Sequence, residues 1–265
     1  MSDPALSVVI PWRDRPELAS CLAHNLPLLA SLDAEMVVAS CGGDPALLGE
    51  ALAGLSSPAL RVIEVPAPRF NKGLALNLGA HAARAGRLFF LDTDVLLEEA
   101  FLPRALPRLD GRSFVTVRRV AESLPSPAAE APGLAEIAWS VELVARGGRK
   151  ARVETNRVRF RDGSRGGPGL ILLEREHFLA VDGMNSDLEG WGWEDLDLVA
   201  RLQLALGLKR RTEGRAVHLT HGDEVRDLGG RSRGASEQAN FAQCLANYRL
   251  GCFTGTYGDD VATWA

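Results

Sequence analysis

Two carboxylates one residue apart close an apolar run in Phe89-Phe90-Leu91-Asp92-Thr93-Asp94. A buried strand ending in paired acids puts charge where hydrophobic burial opposes it, and a dication that both serve, directly or through a ligand hydroxyl, compensates. Such pairs also close turns, so it is the apolar run ahead of them that gives this pair weight. A second group is Gly190-Trp191-Gly192-Trp193-Glu194-Asp195-Leu196-Asp197. Its glycines let the backbone approach a ligand, its tryptophans offer flat apolar faces of the kind sugar rings stack on, and its acids open a helix whose N-terminus favours negative charge. Acids in a first helical turn are commonly capping residues. Asp195 stands apart because it shares a helix face with Val199 and Leu202 and so points inward, where a carboxylate needs a partner or a task.

Val217-His218-Leu219-Thr220-His221 brings two histidines close together at the end of an apolar run. On a straight strand, positions three apart face opposite ways, so one metal is reached by both only if the chain turns there. In Ile10-Pro11-Trp12-Arg13-Asp14-Arg15, two arginines follow the first apolar run and could hold a diphosphate by paired hydrogen bonds. Alone, that segment reads as an ordinary solvated turn.

The elements that must position these groups alternate. Residues 6–12, 35–40, 61–65 and 87–92 read as short strands bounded by Pro, Gly or Asp, with helices between them. Pro16 opens the first helix, Pro45 the second, and Asn71 precedes a third over 72–85. This pattern predicts an α/β fold with a mostly parallel, doubly wound central sheet. Beyond Asp94 the expectations are a strand at 113–120, a Pro/Ala-rich loop at 123–132, a helix at 133–146 and an edge strand at 153–160. A buried strand at 169–174 and a helix at 194–206 follow. Glycines and charges predict a mobile loop at 222–236 before a last helix at 237–250. A single domain is expected, with a nucleotide-sugar-binding half at 1–112, an acceptor and catalytic half at 113–221, the loop at 222–236, and a C-terminal helix and tail at 237–265.

With 30 basic and 34 acidic residues among 265, and a formal net charge of -4, nothing draws the whole chain to nucleic acid or an anionic membrane. No window approaches the ~20 apolar residues of a spanning helix, and the first residues lack a signal pattern, so the expectation is a cytoplasmic protein without an integral membrane segment. Cys21, Cys41, Cys244 and Cys252 are too scattered for a zinc site or a disulfide scaffold and read as reduced thiols.

In this order the four motifs resemble those of the inverting GT-A glycosyltransferases, most closely the β-1,4-galactosyltransferase family (family 7) and its bacterial family 2 relatives. The resemblance covers most of the chain. Pro11, Arg13 and Arg15 stand where that family's Pro-Phe-Arg-Asn-Arg element contacts uridine diphosphate. Phe70-Asn71-Lys72-Gly73 is similar to its Phe-Asn-Arg-Ala helix start, which implies Phe70 beside the uracil and Lys72 beside the nucleotide. Asp92-Thr93-Asp94 resembles the metal-binding Asp-Val-Asp, in which the second acid ligates manganese. Gly166-Gly167-Pro168-Gly169 and residues 177–183 continue the likeness ahead of the acceptor site. The stretch from Gly190 to Asp195 parallels Gly-Trp-Gly-Gly-Glu-Asp, whose tryptophan flanks donor and acceptor and whose last acid is the base. His218 and His221 fall at the two remaining metal-ligand positions. Trp193 departs from the pattern by replacing a glycine, and the expectation is a protein without the family's secretory anchor.

The implied enzyme is a metal-dependent hexosyltransferase that moves a sugar from a UDP-sugar to a hydroxyl of a glycan or glycoconjugate. Asp195 is the expected general base, with Glu194 on an acceptor or donor hydroxyl and Asp92 on ribose or donor sugar. Asp94, His218 and His221 are the expected metal ligands. Mn2+ suits that donor set better than Mg2+ because two ligands are nitrogen. Two rivals are weaker. A UDP-sugar-binding relative without activity would need no base after the tryptophans. A metal-dependent nucleotidyltransferase lacks support because no Gly-rich, Lys-containing phosphate loop follows the first strand.

Overall fold

The N-terminal apolar runs become the strands of a parallel sheet because each is flanked by a helix that covers one of its faces. The computed structural model describes residues 3–124, 133–222, 228 and 230–264. In order come β1 (Leu6–Trp12), α1 (Glu17–Leu29), β2 (Ala34–Cys41), α2 (Pro45–Leu52), β3 (Leu60–Val65), α3 (Lys72–Ala82) and β4 (Arg87–Phe90). Then follow β5 (Val95–Leu97), α4 (Phe101–Ala105), β6 (Ser113–Glu122), β7 (Glu136–Val144), β8 (Lys150–Arg159) and β9 (Arg165–Glu174). The chain continues through α5 (Arg175–Ala180), α6 (Glu194–Leu206), β10 (Lys209–His218), α7 (Arg233–Arg249) and α8 (Tyr257–Trp264).

Eight strands form the central sheet in the order β3-β2-β1-β4-β9-β6-β10-β5. Pairing is parallel from β3 to β4 and between β6 and β10, whereas β9 runs antiparallel between β4 and β6. Apolar side chains pack on both faces. Leu18 and Leu22 of α1 join Ile10, Phe89 and Phe101 in one core cluster, while Leu76 of α3 and Val199 and Leu202 of α6 join Val9, Phe90 and Phe114 in another.

Several expected boundaries move for identifiable reasons. The third helix stops at Ala82 rather than 85 because the backbone N–H groups of Arg84 and Ala85 donate to Glu35 Oε1 (2.7 Å) and Ser7 Oγ (3.0 Å). The expected helix at 133–146 is instead strand β7. Ile137, Trp139, Val141 and Leu143 alternate with period two, and a turn with Gly148 at φ +81° pairs them with β8 as a hairpin. The segment expected as an edge strand at 153–160 is therefore half of a separate two-stranded sheet, not an edge of the central one. The helix expected at 237–250 begins at Arg233, earlier than expected, because Ser232 caps it by accepting from Ala235 N–H (3.3 Å), and the expected tail contains a further helix, α8. Residues 125–132 of the expected loop at 123–132, and residues 223–227 and 229 of the one expected at 222–236, lie outside the described residues, and residues 233–236 belong to α7. Among the described residues no helix is long and apolar enough to cross a membrane.

Candidate functional site

A cleft of about 1210 Å³ opens at the carboxyl ends of β1 and β4 and is lined by Pro11, Arg13, Arg15, Phe70, Lys72, Asp92, Asp94, Trp191, Glu194, Asp195 and His218. In open α/β sheets that edge is where ligands bind. Every residue expected at the site except His221 is part of this lining, and His221 reaches it through Asp94.

Asp92 and Asp94 diverge at the end of β4. The chain turns immediately, with Val95 N–H donating to Asp92 O (3.2 Å), while Thr93 Oγ1 donates to Pro11 O (3.1 Å) and fixes the turn to β1. Asp94 faces inward to three basic groups. Its Oδ2 accepts from Arg15 Nη2 (3.2 Å) and lies 3.0 Å from His221 Nε2 and 3.5 Å from His218 Nε2. Ligand atoms of Asp94, His218 and His221 all fall within 4.8 Å of one another, so the chain does turn after β10 and the two histidines converge. Burial opposes charge on Asp94, but the hydrogen bond and charge of His218, with Arg15 and His221, hold its carboxyl well below the usual range.

Each imidazole has a second partner on its other ring nitrogen. His218 Nδ1 lies 2.7 Å from Glu122 Oε2, and His221 Nδ1 lies 2.8 Å from Gly222 O. With each Nδ1–H donated there, the neutral rings turn Nε2 lone pairs toward a carboxylate, an arrangement that needs a proton or a metal ion between them. The donor set fits a divalent transition ion, Mn2+ included. Burial opposes protonation of His218, but Asp94 and Glu122 outweigh it and raise its pKa above the ordinary value. Glu122 is a functional residue that sequence reasoning missed. It is the register partner of His218 on β6, which only the parallel β6–β10 pairing reveals.

Asp195 lies in the same cleft, joined to Asp92 through Lys72. Lys72, the first residue of α3 after the Asn71 cap, donates Nζ to Asp195 Oδ2 (2.8 Å) and lies 2.7 Å from Asp92 Oδ1. Asp195 Oδ1 is buried without a hydrogen-bond partner, as is Glu194 Oε2. Burial raises the Asp195 pKa, with Lys72 opposing and Asp92 adding to the rise. Glu194 is pushed up to about 7 by burial and then by the neighbouring Asp195 charge. Gly169 of β9 was also missed as a site residue. A Cβ there would sit 2.2 Å from Asp195 Oδ2, so a bare backbone is what gives the carboxylate its place.

The turn that delivers these acids is strained. Trp193 precedes α6 in the left-handed region at φ +69° and provides no side-chain cap. Its ring lines the cleft and stacks on Phe241 of α7 at 4.2 Å. Trp191 donates its N–H to Ser236 Oγ (2.9 Å), and the Arg233 guanidinium lies 4.0 Å over its ring. Asp197 takes the structural role open to acids in this turn. It pairs in the interior with Arg201 (2.7 Å) and accepts from Tyr248 OH (2.6 Å).

Residues 149–222, which hold the Gly190–Asp195 turn and both histidines, match the family model described as the N-terminal domain of galactosyltransferase. No curated protein matches the sequence. Among solved structures, GalNAc-T7 with UDP, GalNAc and Mn2+ is similar at a TM-score of 0.62 and 16% identity, over 92% of this chain and 48% of its own. The mannosyltransferase PcManGT from Pyrobaculum calidifontis, in complex with GDP-Man and Mn2+, is similar at 0.58 and 18%, over 93% of this chain and 65% of its own. The chain thus spans less than two thirds of either protein. The shared fold is GT-A, a mixed α/β domain with a curled, mostly parallel sheet.

Proposed function

We propose that this chain, a glycosyltransferase by its GT-A fold and by the galactosyltransferase match over residues 149–222, transfers a sugar with inversion from a UDP-sugar to a glycan or glycoconjugate hydroxyl. The observation that carries the reading is Asp195, held at Oδ2 by Lys72 with Oδ1 left unpartnered, in the same cleft as Asp94 and His218. Oδ1 takes the proton of the acceptor hydroxyl as its oxygen bonds to the anomeric carbon. The bond from that carbon to the diphosphate breaks, and its electron pair leaves with UDP. Proton removal by a positioned base contributes ~10²-fold or more. A divalent ion on Asp94, His218 and His221 supplies positive charge to the departing diphosphate when bound.

On the donor side, Arg13 and Arg15 pair with phosphate oxygens, Phe70 lies against the base, and Asp92 takes a ribose or sugar hydroxyl. Residues 1–112 form the donor half and 113–221 the acceptor half. Glu194, kept partly protonated by its surroundings, binds an acceptor or donor hydroxyl. The test is a donor screen with purified protein, Mn2+ and a panel of UDP- and GDP-sugars, scored by binding and slow hydrolysis. Hydrolysis of one UDP-sugar that stops with chelator is the expected result, and a panel without binding or turnover overturns the reading.

A further inference from the structure

The β7–β8 hairpin stands apart from the central sheet, yet one end of it forms a wall of the cleft. Trp139, Glu154, Thr155, Asn156 and Arg157 all line that cavity, and Trp139 keeps 47% of its surface exposed. Pairing explains this exposure. Trp139 is opposite Asn156 and Ser140 opposite Glu154, so Thr155 is an extra residue that breaks the hairpin's register beside Trp139. Such bulges re-aim side chains. Val141 and Leu143, beyond the bulge, pack on the core under α6, while Trp139 faces the cavity.

The groups around the ring are fixed in place. Arg157 is pinned by Glu154 (Nη2 to Oε2 2.6 Å) and by Glu136, and Thr155 Oγ1 donates to Trp139 O (3.4 Å). A flat apolar face bordered by held polar groups is the arrangement that binds a sugar ring. Its place relative to the base follows from β9. Glu154 packs on Gly166, where a Cβ would lie 2.9 Å from Oε1, and Gly169 further along the same strand seats Asp195. Asp92 and Lys72 approach Asp195 from β4 and α3, whereas the hairpin wall reaches the same cleft along β9.

From this arrangement we infer that Trp139 is the platform of a second sugar subsite, and that the acceptor is a glycan chain with one sugar at Asp195 and an earlier one stacked on Trp139. The inference rests on the transferase reading and names its acceptor class. It is tested by retention on an array of oligosaccharides and their component monosaccharides, in the presence of UDP and Mn2+. Wild type, Trp139→Ala, Trp139→Phe and Val144→Ala are compared; Val144 is 59% exposed on the same hairpin and outside the cleft lining. Wild type and Val144→Ala are expected to retain at least one oligosaccharide well above its monosaccharides. Trp139→Ala should lose about tenfold of that retention, the size of an aromatic contact, and Trp139→Phe should keep most of it. Equal retention by Trp139→Ala, or wild-type retention no better for oligosaccharides than for single sugars, overturns the subsite. Melting temperatures of the same samples separate the two failures. A wild type stabilised by UDP and Mn2+ but indifferent to Trp139 loses only the subsite, whereas one that gains nothing from UDP and Mn2+ loses the transferase reading.

Discussion

Lys72 Nζ lies 2.8 Å from Asp195 Oδ2, so the residue that opens α3 holds the carboxylate that opens α6. Burial works against this ammonium, but Asp195 and Asp92 keep its pKa above the ordinary lysine range. In return its charge favours the ionised form of Asp195. Lys72→Met is therefore expected to raise the Asp195 pKa further, moving the acid limb of the pH–rate profile to higher pH and lowering kcat. Lys72→Arg should restore most of the profile. An unmoved acid limb in Lys72→Met would free Asp195 from this dependence.

Asp195 and Asp197 sit two residues apart and predict opposite outcomes. Asp195→Asn should fold and bind nucleotide as wild type does but lose ~10²-fold or more in transfer, because the base is gone. Asp197→Asn should instead lower stability by about 3–5 kcal/mol, because Arg201 is left as an unpaired charge in the interior. Urea unfolding and single-turnover transfer on both variants make the comparison. Near-normal turnover in Asp195→Asn would move the base elsewhere, with Glu194 the first candidate.

For the metal trio, UDP is expected to raise the melting temperature in Mn2+ and not in chelator, and Asp94→Ala should abolish that difference. Glu122→Gln keeps every ligand but weakens the acceptor that orients His218, so Mn2+ affinity should fall about 10–100-fold. Titration calorimetry reads both. A Glu122→Gln protein with wild-type affinity would reduce this residue to a surface ion pair.

Glu194 gives a pH signature in the metal-free protein. Its folded pKa, about 7, lies above the unfolded value of 4.5, so the folded state binds the proton more tightly. The resulting stability is present at low pH and is lost as pH rises from the unfolded value through about 7. Glu194→Gln should therefore raise the melting temperature at pH 8 and change it little at pH 4. Equal melting temperatures at pH 8 would mean that the buried carboxylate is compensated after all.

Local patterns were legible wherever a single property decided the structure. Leu6–Trp12 was read to the residue because an apolar run meets Arg13 at a sheet edge, and Asn71 announced α3 because its side chain accepts from Leu74 N–H (2.9 Å). Convergence of His218 and His221 was legible only as a condition, that the chain turn. Glu122 carries no local signal, since it matters through its partner on β10, and Gly169, though part of a motif that continues the family likeness, becomes a site residue only through Asp195 of α6. The hairpin was misread because Ala135 and Ala138 blur a period-two pattern that Ile137, Trp139, Val141 and Leu143 otherwise keep. Trp193 stands where the family pattern has a glycine, and its backbone keeps a left-handed conformation while its ring lines the cleft and stacks on Phe241.

The sheet order carries a consequence for how the protein is made. β10 is laid between β6 and β5, and among the described residues β5 pairs with no other strand. A chain emerging from the ribosome must therefore hold β5 without a neighbour until partners 119–123 positions later arrive, and the open side of β6 until partners 96 positions later arrive, as Ala216 pairs with Leu97, His218 with Val95 and Lys209 with Ser113. Long-range pairings of this kind form slowly and leave edges exposed to other chains. The strands β3, β2, β1 and β4 pair with one another as synthesis proceeds, and only the outer edge of β4 waits for β9. The metal trio, closed by the last strand to arrive, thus becomes available only once that vulnerable edge has been sealed.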